Sequence, residues 1–352
     1  MLLNDLPARE LAVALTGVVP EEVTRRLFAR VHDRGAPPEV DLAAVRGLSK
    51  VATAALRKLG ARAGRLEVIA RHRSKVDGFV KYLFRLSDGQ VVEAVAIPLP
   101  AGPDSVPEKY TLCISSQVGC ALACAFCATG RLGFSRHLET WEIVDQVARI
   151  RDELDVPVRG LVFMGMGEPF LNYDAVLRAA RIFCDPAGFA IGAKAITIST
   201  AGIVPAIRRY TSEGHKFRLA ISLTSAIEEK RRRLMPIERK YPLDELLDAA
   251  RAHSLATRDR IMLEYVAISG ENVGAKDAAA LIERLAGMRV RLNLIDVNDA
   301  TGRFAPPTEA ELAHFRDLLA PLGQPIVRRY SGGREVHGAC GMLAGTSLPI
   351  VA

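Results

Sequence analysis

The 352-residue chain is short of several things, and each shortage closes off a class of protein. It contains no run of about 18 apolar residues, so no membrane span is expected. Its opening, Met1-Leu2-Leu3-Asn4-Asp5-Leu6, lacks the basic and then apolar stretches of a secretory signal. Cysteines number only six, and four of them fall within residues 113–127, a distribution unsuited to a disulfide scaffold. Together these point to a reducing cytoplasm, where disulfides are rare. The remaining composition, 49% hydrophobic and 25% charged, is ordinary for a globular protein. The length suits one large domain or a domain with a smaller module.

The net charge of +7 is unevenly placed, since residues 1–75 hold 14 Lys+Arg against 8 Asp+Glu. A basic module beside a nearly neutral body suits attachment to a polyanion, although a solvated helical surface rich in arginine would look the same. Within residues 1–65, Glu21–His32 and Leu42–Leu59 carry apolar residues at helical spacing and are separated by Gly35-Ala36-Pro37-Pro38. From Arg65 the period shortens to about two. Three such runs follow, at 66–70, 80–86 and 91–97, the last two meeting at Ser87-Asp88-Gly89-Gln90, a hairpin signal, and 99–107 reads as a proline-rich linker.

Beyond the linker, strands expected at 110–118, 158–165, 195–200, 217–223, 260–267 and 289–296 alternate with helical patterns. Such alternation builds a parallel sheet with helices outside it, and six units are too few for a standard eight-stranded barrel. The expected fold class is therefore α/β, an open (β/α)6 partial barrel with a small N-terminal helical module and a short β-hairpin extension. The expected divisions are 1–65 for the helical module, 66–108 for hairpin and linker, 109–300 for the barrel, and 301–352 for a C-terminal helix, strand and loop. In such folds chemistry sits beyond the C-terminal strand ends.

The candidate residues fall at those ends. Cys120, Cys124 and Cys127 form a C-x3-C-x2-C set on a loop leaving the first barrel strand, a spacing that lets thiolates share a soft metal centre. Three ligands suit a [4Fe–4S] cube with one open iron; a closed zinc site needs a fourth, for which Cys113 and His137 are nearest. The second strand runs into Gly165-Met166-Gly167-Glu168-Pro169, where Gly167 permits close approach and Glu168 can accept from an ammonium. Ser199, Ser222, Leu223 and Thr224 end the third and fourth strands as further ligand contacts or helix caps. Asn298 follows the sixth strand and offers an amide to an adenine or ribose edge. Cys184 reads as a buried small hydrophobe, whereas Cys340, in Gly338-Ala339-Cys340-Gly341, has glycine neighbours that leave its sulfur accessible.

The cysteine triplet with Phe126 before its last member resembles the radical-SAM cluster motif. Together with Gly165-Met166-Gly167-Glu168-Pro169, Ser199-Thr200-Ala201-Gly202, Cys113 and Ala339-Cys340-Gly341, the chain resembles the RlmN/Cfr family of radical-SAM RNA methyltransferases. The likeness is strongest from 110 to 205 and weak before 90. It implies one [4Fe–4S] cluster on Cys120, Cys124 and Cys127, and two S-adenosylmethionine (SAM) molecules per turnover. Gly167, Glu168, Ser199, Ser222, Leu223, Thr224 and Asn298 would contact SAM. It also implies methylation of an adenine ring carbon, carbon 2 before carbon 8, in rRNA and as a second candidate tRNA. One SAM would methylate Cys340, and the other would give a radical that activates the S-methyl group. Cys113 would resolve the RNA adduct on Cys340, and Glu93 would take the ring proton. Flavodoxin or ferredoxin is the expected electron donor, and a monomer is expected.

The chain departs from the family pattern at Thr224, where histidine is usual, at Asp296-Val297-Asn298-Asp299, and at the segment Gly332–Gly338, usually acidic. These changes cluster where substrate would be read. They keep open a radical-SAM enzyme acting on another RNA or a protein, and a non-enzymatic metal- or RNA-binding protein. Basic runs at Lys230-Arg231-Arg232-Arg233 and Arg328-Arg329-Tyr330 are candidate phosphate contacts.

Overall fold

The computed structural model describes residues 1–100, 106–299 and 301–344. Most of the expected linker at 99–107 lies outside them. Strands β1 (Glu67–Arg73), β2 (Val80–Arg85) and β3 (Val91–Leu99) form an antiparallel meander, and β3 pairs antiparallel with β4 (Lys109–Cys113). Short β5 (Gln117–Gly119) and β6 (Phe134–His137) make a separate ribbon. The chain then returns through β7 (Val158–Phe163), β8 (Ile196–Thr200), β9 (Arg218–Ser222), β10 (Ile261–Ala267), β11 (Val290–Asp296) and β12 (Ile326–Arg329). All of these run parallel to β4 and to one another.

The α/β partial barrel anticipated from the alternation is present, with two differences of extent. The six expected strands correspond to β4 and β7–β11, and β12 joins them as another parallel strand. The segment read as a hairpin extension forms a strand at each of its three period-two runs, and it is continuous with the barrel: one ten-stranded sheet runs β1-β2-β3-β4-β7-β8-β9-β10-β11-β12. Among its parallel strands β8 is buried at every residue and β11 at all but one, because helices cover the outside and side chains fill the inside, whereas β12 at the edge has no fully buried residue.

Two expected elements break, each for a local reason. The strand expected at 110–118 stops at Cys113, where side-chain bonds replace the ladder: the Ser115 hydroxyl donates to Glu93 O (2.5 Å), and Gln146 Oε1 accepts from Ser115 N (2.9 Å). The helix expected over Leu42–Leu59 is a short turn at Leu42–Ala44 and a helix only at Lys50–Lys58. The first ends at Val45, which is extended, Gly47 at φ +86° turns the chain beyond it, and the Ser49 hydroxyl, accepting from Ala52 N, starts the second.

The N-terminal module, with helices Ala8–Ala14, Glu21–His32 and Lys50–Lys58, is joined to helix Thr140–Glu153 by polar contacts, among them Arg151 donating to His32 O (2.9 Å). The Asn4 amide bonds both N and O of Gly64, and Asp5 accepts from Trp141 N. Arg65 pairs with buried Asp145 (3.2 Å), so this cation of the basic module faces inward. His32 is packed between Phe28 and Phe189, with Nε2 buried and unpartnered among the described residues.

Burial, reinforced by the like charges of Arg65 and Arg151, pushes the His32 imidazole down to about 3. Below its ordinary pKa of 6.5 the unfolded chain takes up a proton that the native chain refuses. His32 therefore costs stability as pH falls from about 6.5 toward 3. We expect His32→Leu to remove this sensitivity. Between pH 7 and 5.5 the wild type should lose about 1 kcal/mol more than the variant in denaturant-unfolding midpoints.

Candidate active site

The loop after β5 is set by backbone constraints. Gly119 lies at φ +70°, and a Cβ there would meet Gly133 O at 1.9 Å; beyond it Cys120 N donates to Gly133 O (2.7 Å). The next turns bring Cys120, Cys124 and Cys127 onto one cavity of about 140 Å³ at the carboxyl ends of β7–β11. Neither Cys113 nor His137, the two nearest candidates for a fourth ligand, lines it. His137 Nδ1 instead meets Gln117 Nε2 at 3.0 Å. Burial pushes the Cys120 thiol up to about 12 and Cys124 higher still, with neighbouring thiols adding to the effect. Thiolates here therefore need a bound positive centre.

Opposite the thiols stands the turn after β7. Gly167 lies at φ +103°, and a Cβ would fall 2.6 Å from the Gln117 side chain; at Gly165 it would fall 2.7 Å from the Ile114 backbone. Only glycine fits at either place. Glu168 follows, buried, accepting from Phe170 N (3.0 Å) and Ala201 N (2.8 Å), and burial pushes its carboxyl up to about 7. Ser199 and Ser222 also line this cavity.

The structure does not bring every candidate to the cavity wall. Leu223 and Thr224 are fully buried and absent from the lining. Thr224, at φ +57°, accepts from Asn272 Nδ2 (2.7 Å), and its own hydroxyl has no partner among the described residues. Asn298 is occupied by the C-terminal loop: its amide donates to Ser331 Oγ (2.6 Å) and Cys340 O (3.3 Å) and accepts from Arg334 Nε (2.6 Å). Sequence reasoning missed Gln117, whose Oε1 accepts from Glu168 N (2.7 Å). It also missed Glu264 on β10, which faces the cavity with its carboxyl raised by burial. A lone carboxylate in an apolar strand was the available signal for Glu264.

A second cavity, of about 340 Å³, lies beside the first. Cys113 is on its wall, and strand register relates Cys113 to two residues of the same sheet, Lys81 and Glu93, that do not themselves line it. Lys81 opposes Val95, Val95 opposes Cys113, and Leu83 opposes Glu93, so alternation puts Lys81, Glu93 and Cys113 on one face of the sheet. Glu93 is buried against Lys81 (3.2 Å) and accepts from Ala344 N (3.1 Å). Cys113 lines this cavity, and Cys340 lines both cavities. Each of these thiols is pushed up to about 12, first by dense protein surroundings and then by a neighbouring thiol, Cys340 in the case of Cys113 and Cys127 in the case of Cys340. Cys340 nonetheless counts as exposed, because the open cavities lead solvent to it.

The basic runs are mostly engaged. Arg231 is fully buried, paired with Glu238 (2.9 Å) and donating to the carbonyls of Ala201 and Leu223, which corrects its reading as a phosphate contact. Lys230 pairs with Asp277 and Arg233 with Glu271, while Arg328 joins Asp296 and Glu309. Arg329 lines the second cavity.

Comparison with known proteins agrees with this geometry. A family described as the radical SAM superfamily matches residues 114–282. A probable RNA methyltransferase of Myxococcus xanthus is 52% identical, over 98% of this chain and 95% of its own length. The dual-specificity RNA methyltransferase RlmN of Syntrophobacter fumaroxidans is 42% identical, over 91% of this chain and 90% of its own. The crystal structure of a radical SAM methyltransferase from Sphaerobacter thermophilus superposes with a TM-score of 0.86 at 34% identity, covering 98% of this chain and 100% of that one.

The inward course of Arg231 has a measurable consequence. Arg231→Met would leave the Glu238 carboxylate buried without its partner and should cost about 3–5 kcal/mol in denaturant unfolding. Arg232→Met, one residue on and exposed, should stay within about 0.5 kcal/mol of wild type.

Proposed function

Because the chain belongs to the RlmN/Cfr family of radical-SAM RNA methyltransferases, we propose that it methylates a ring carbon of adenine through a methylated Cys340. Carbon 2 is the first expectation and carbon 8 the second, in rRNA and as a second substrate tRNA. What supports the cysteine route is the place of Cys340, whose side chain borders both the cavity of the cysteine triplet and the cavity holding Cys113.

Membership of the superfamily implies a [4Fe–4S] cluster and SAM. The three thiols around one cavity, faced by the glycine turn, fit such a group, with Cys120, Cys124 and Cys127 as its holders. Bound there, it supplies the one-electron chemistry that a non-nucleophilic carbon requires, with two SAM molecules per turnover and a flavodoxin- or ferredoxin-type donor. Glu168, Ser199 and Ser222 offer polar groups to SAM on the opposite wall.

The remaining work falls to the second cavity. With RNA joined to the Cys340 sulfur through the transferred carbon, Glu93, ion-paired with Lys81, would take the adenine ring proton while the unpaired electron of the adduct leaves to the one-electron acceptor that the bound group would provide, which restores a closed-shell ring. The Cys113 thiolate then attacks the Cys340 sulfur. An S–S bond forms as the carbon–sulfur bond breaks, and the electron pair, with a proton, leaves on the carbon as the product methyl group. A thiol reductant reopens the disulfide to the two free thiols of the resting chain.

Mass spectrometry of methylated adenosine in rRNA and tRNA tests this. Cys340→Ala should abolish methyl transfer, and transfer at the wild-type rate would refute the route. Cys113→Ala should accumulate RNA covalently attached to protein, visible as a shifted, ribonuclease-sensitive band. Glu93→Gln should slow product formation about 10²–10⁴-fold.

A further inference from the structure

The second cavity has two aromatic walls that the methyl-transfer route does not use. Phe79, two residues before Lys81 on the same sheet face, meets Tyr330, which follows β12, with ring centroids 6.2 Å apart and planes inclined by 56°. At that spacing and tilt no flat group fits between the rings. They form a corner rather than a sandwich.

The two rings differ in freedom. Phe79 is 4% exposed and is backed by glycines: a Cβ at Gly332 would lie 2.5 Å from both rings, and one at Gly333 would lie 3.0 Å from Phe79. Tyr330 is 60% exposed, among the few large apolar side chains left open to solvent. It is not loose, because its hydroxyl donates to Asp77 Oδ2 (3.2 Å), which also accepts from Gly333 N (2.8 Å). One carboxylate thus fixes the exposed ring and the glycine backing of the buried one. Arg329, the residue before Tyr330, lines the same cavity, and no ion pair among the described residues involves it. An exposed, oriented ring at the mouth of an apolar cavity, with a cation alongside, matches what an unstacked nucleobase and its phosphate need.

We propose that Tyr330 is the stacking platform for a purine base splayed out of single-stranded RNA, with Phe79 as the fixed wall against the base edge and Arg329 facing the adjoining phosphate. This rests on the reading of the chain as an adenine methyltransferase and names the residues that seat the base over Cys113 and Cys340.

The test uses the holoenzyme and two fluorescein-labelled oligouridylates, one with a central adenosine and one with an abasic site in its place, titrated by anisotropy. Wild type and Tyr330→Phe, which keeps the ring, should bind the adenosine strand about tenfold more tightly than the abasic strand. Tyr330→Leu should bring that ratio close to one. Because the side chain is exposed, the variant should fold, and an unchanged thermal midpoint checks this. A ratio retained in Tyr330→Leu would overturn the proposal, as would a ratio lost in Tyr330→Phe, which would assign the effect to the hydroxyl. Methyl transfer surviving in Cys340→Ala would instead refute the cysteine route while leaving the ratio intact.

Discussion

The candidate site depends on how the segment after β12 is held. Residues 330–344 contain no helix or strand, so their polar groups must find partners elsewhere in the chain. Asp77 takes Tyr330 and Gly333, and Ser74 donates to Glu335. Asn298 holds Ser331 and Cys340, Ala128 N donates to Gly341 O (2.7 Å), and Thr129 donates to Leu343 O (2.6 Å). Glu93 closes the series at Ala344. These contacts come from the first sheet edge, the cysteine loop and the end of β11. The segment therefore bridges the two edges of the open sheet and sets Cys340 where the two cavities meet.

Around it the electrostatics are one-sided. Burial raises the pKa of Cys113, Cys120, Cys124, Cys340, Glu168 and Glu264 together. A low-dielectric pocket that disfavours the ionised forms of its own acids is poorly suited to anions and well suited to a positively charged centre. Arg231 lowers the Cys124 thiol somewhat, but its guanidinium is engaged by Glu238 and by carbonyls. Binding of cluster and SAM would thus be coupled to proton release from the thiols.

Local spacing made much of this legible. The cysteine triplet, the glycine turn before Glu168 and the strand–helix alternation are short-range patterns, and each maps to a short-range structural fact. Thr224, Leu223 and Asn298 show where that logic stops. All follow strands at the expected end, yet a left-handed turn buries the first two, and the C-terminal segment captures the third. Arg231 sits within a basic run that spacing reads as surface, and only the fold reveals the Glu238 beside it. The Phe79–Tyr330 corner joins residues from opposite ends of the sheet, with no signal in either neighbourhood. Likewise, β4 ends at Cys113 because Ser115 finds Glu93 O and Gln146, partners remote in sequence.

The continuity of the ten-stranded sheet explains a division of labour. Glu93 and Cys113 lie on paired strands of one face, so their relation is fixed by register and varies little with the surroundings. Cys340 lies on a segment without such a register. On the proposed route the Cys340 sulfur would receive a methyl group in one cavity and meet Cys113 in the other, so it would need to shift between them, while Glu93 and Cys113 would not. Hydrogen bonds from many elements, each individually weak, hold a segment in place yet can be exchanged one at a time. The same segment contains Gly332–Gly338, where the chain departs most from the family pattern. Gly332 and Gly338 line the second cavity, so changes there alter its wall, whereas the Lys81–Glu93 ion pair and the cysteine triplet lie on other elements.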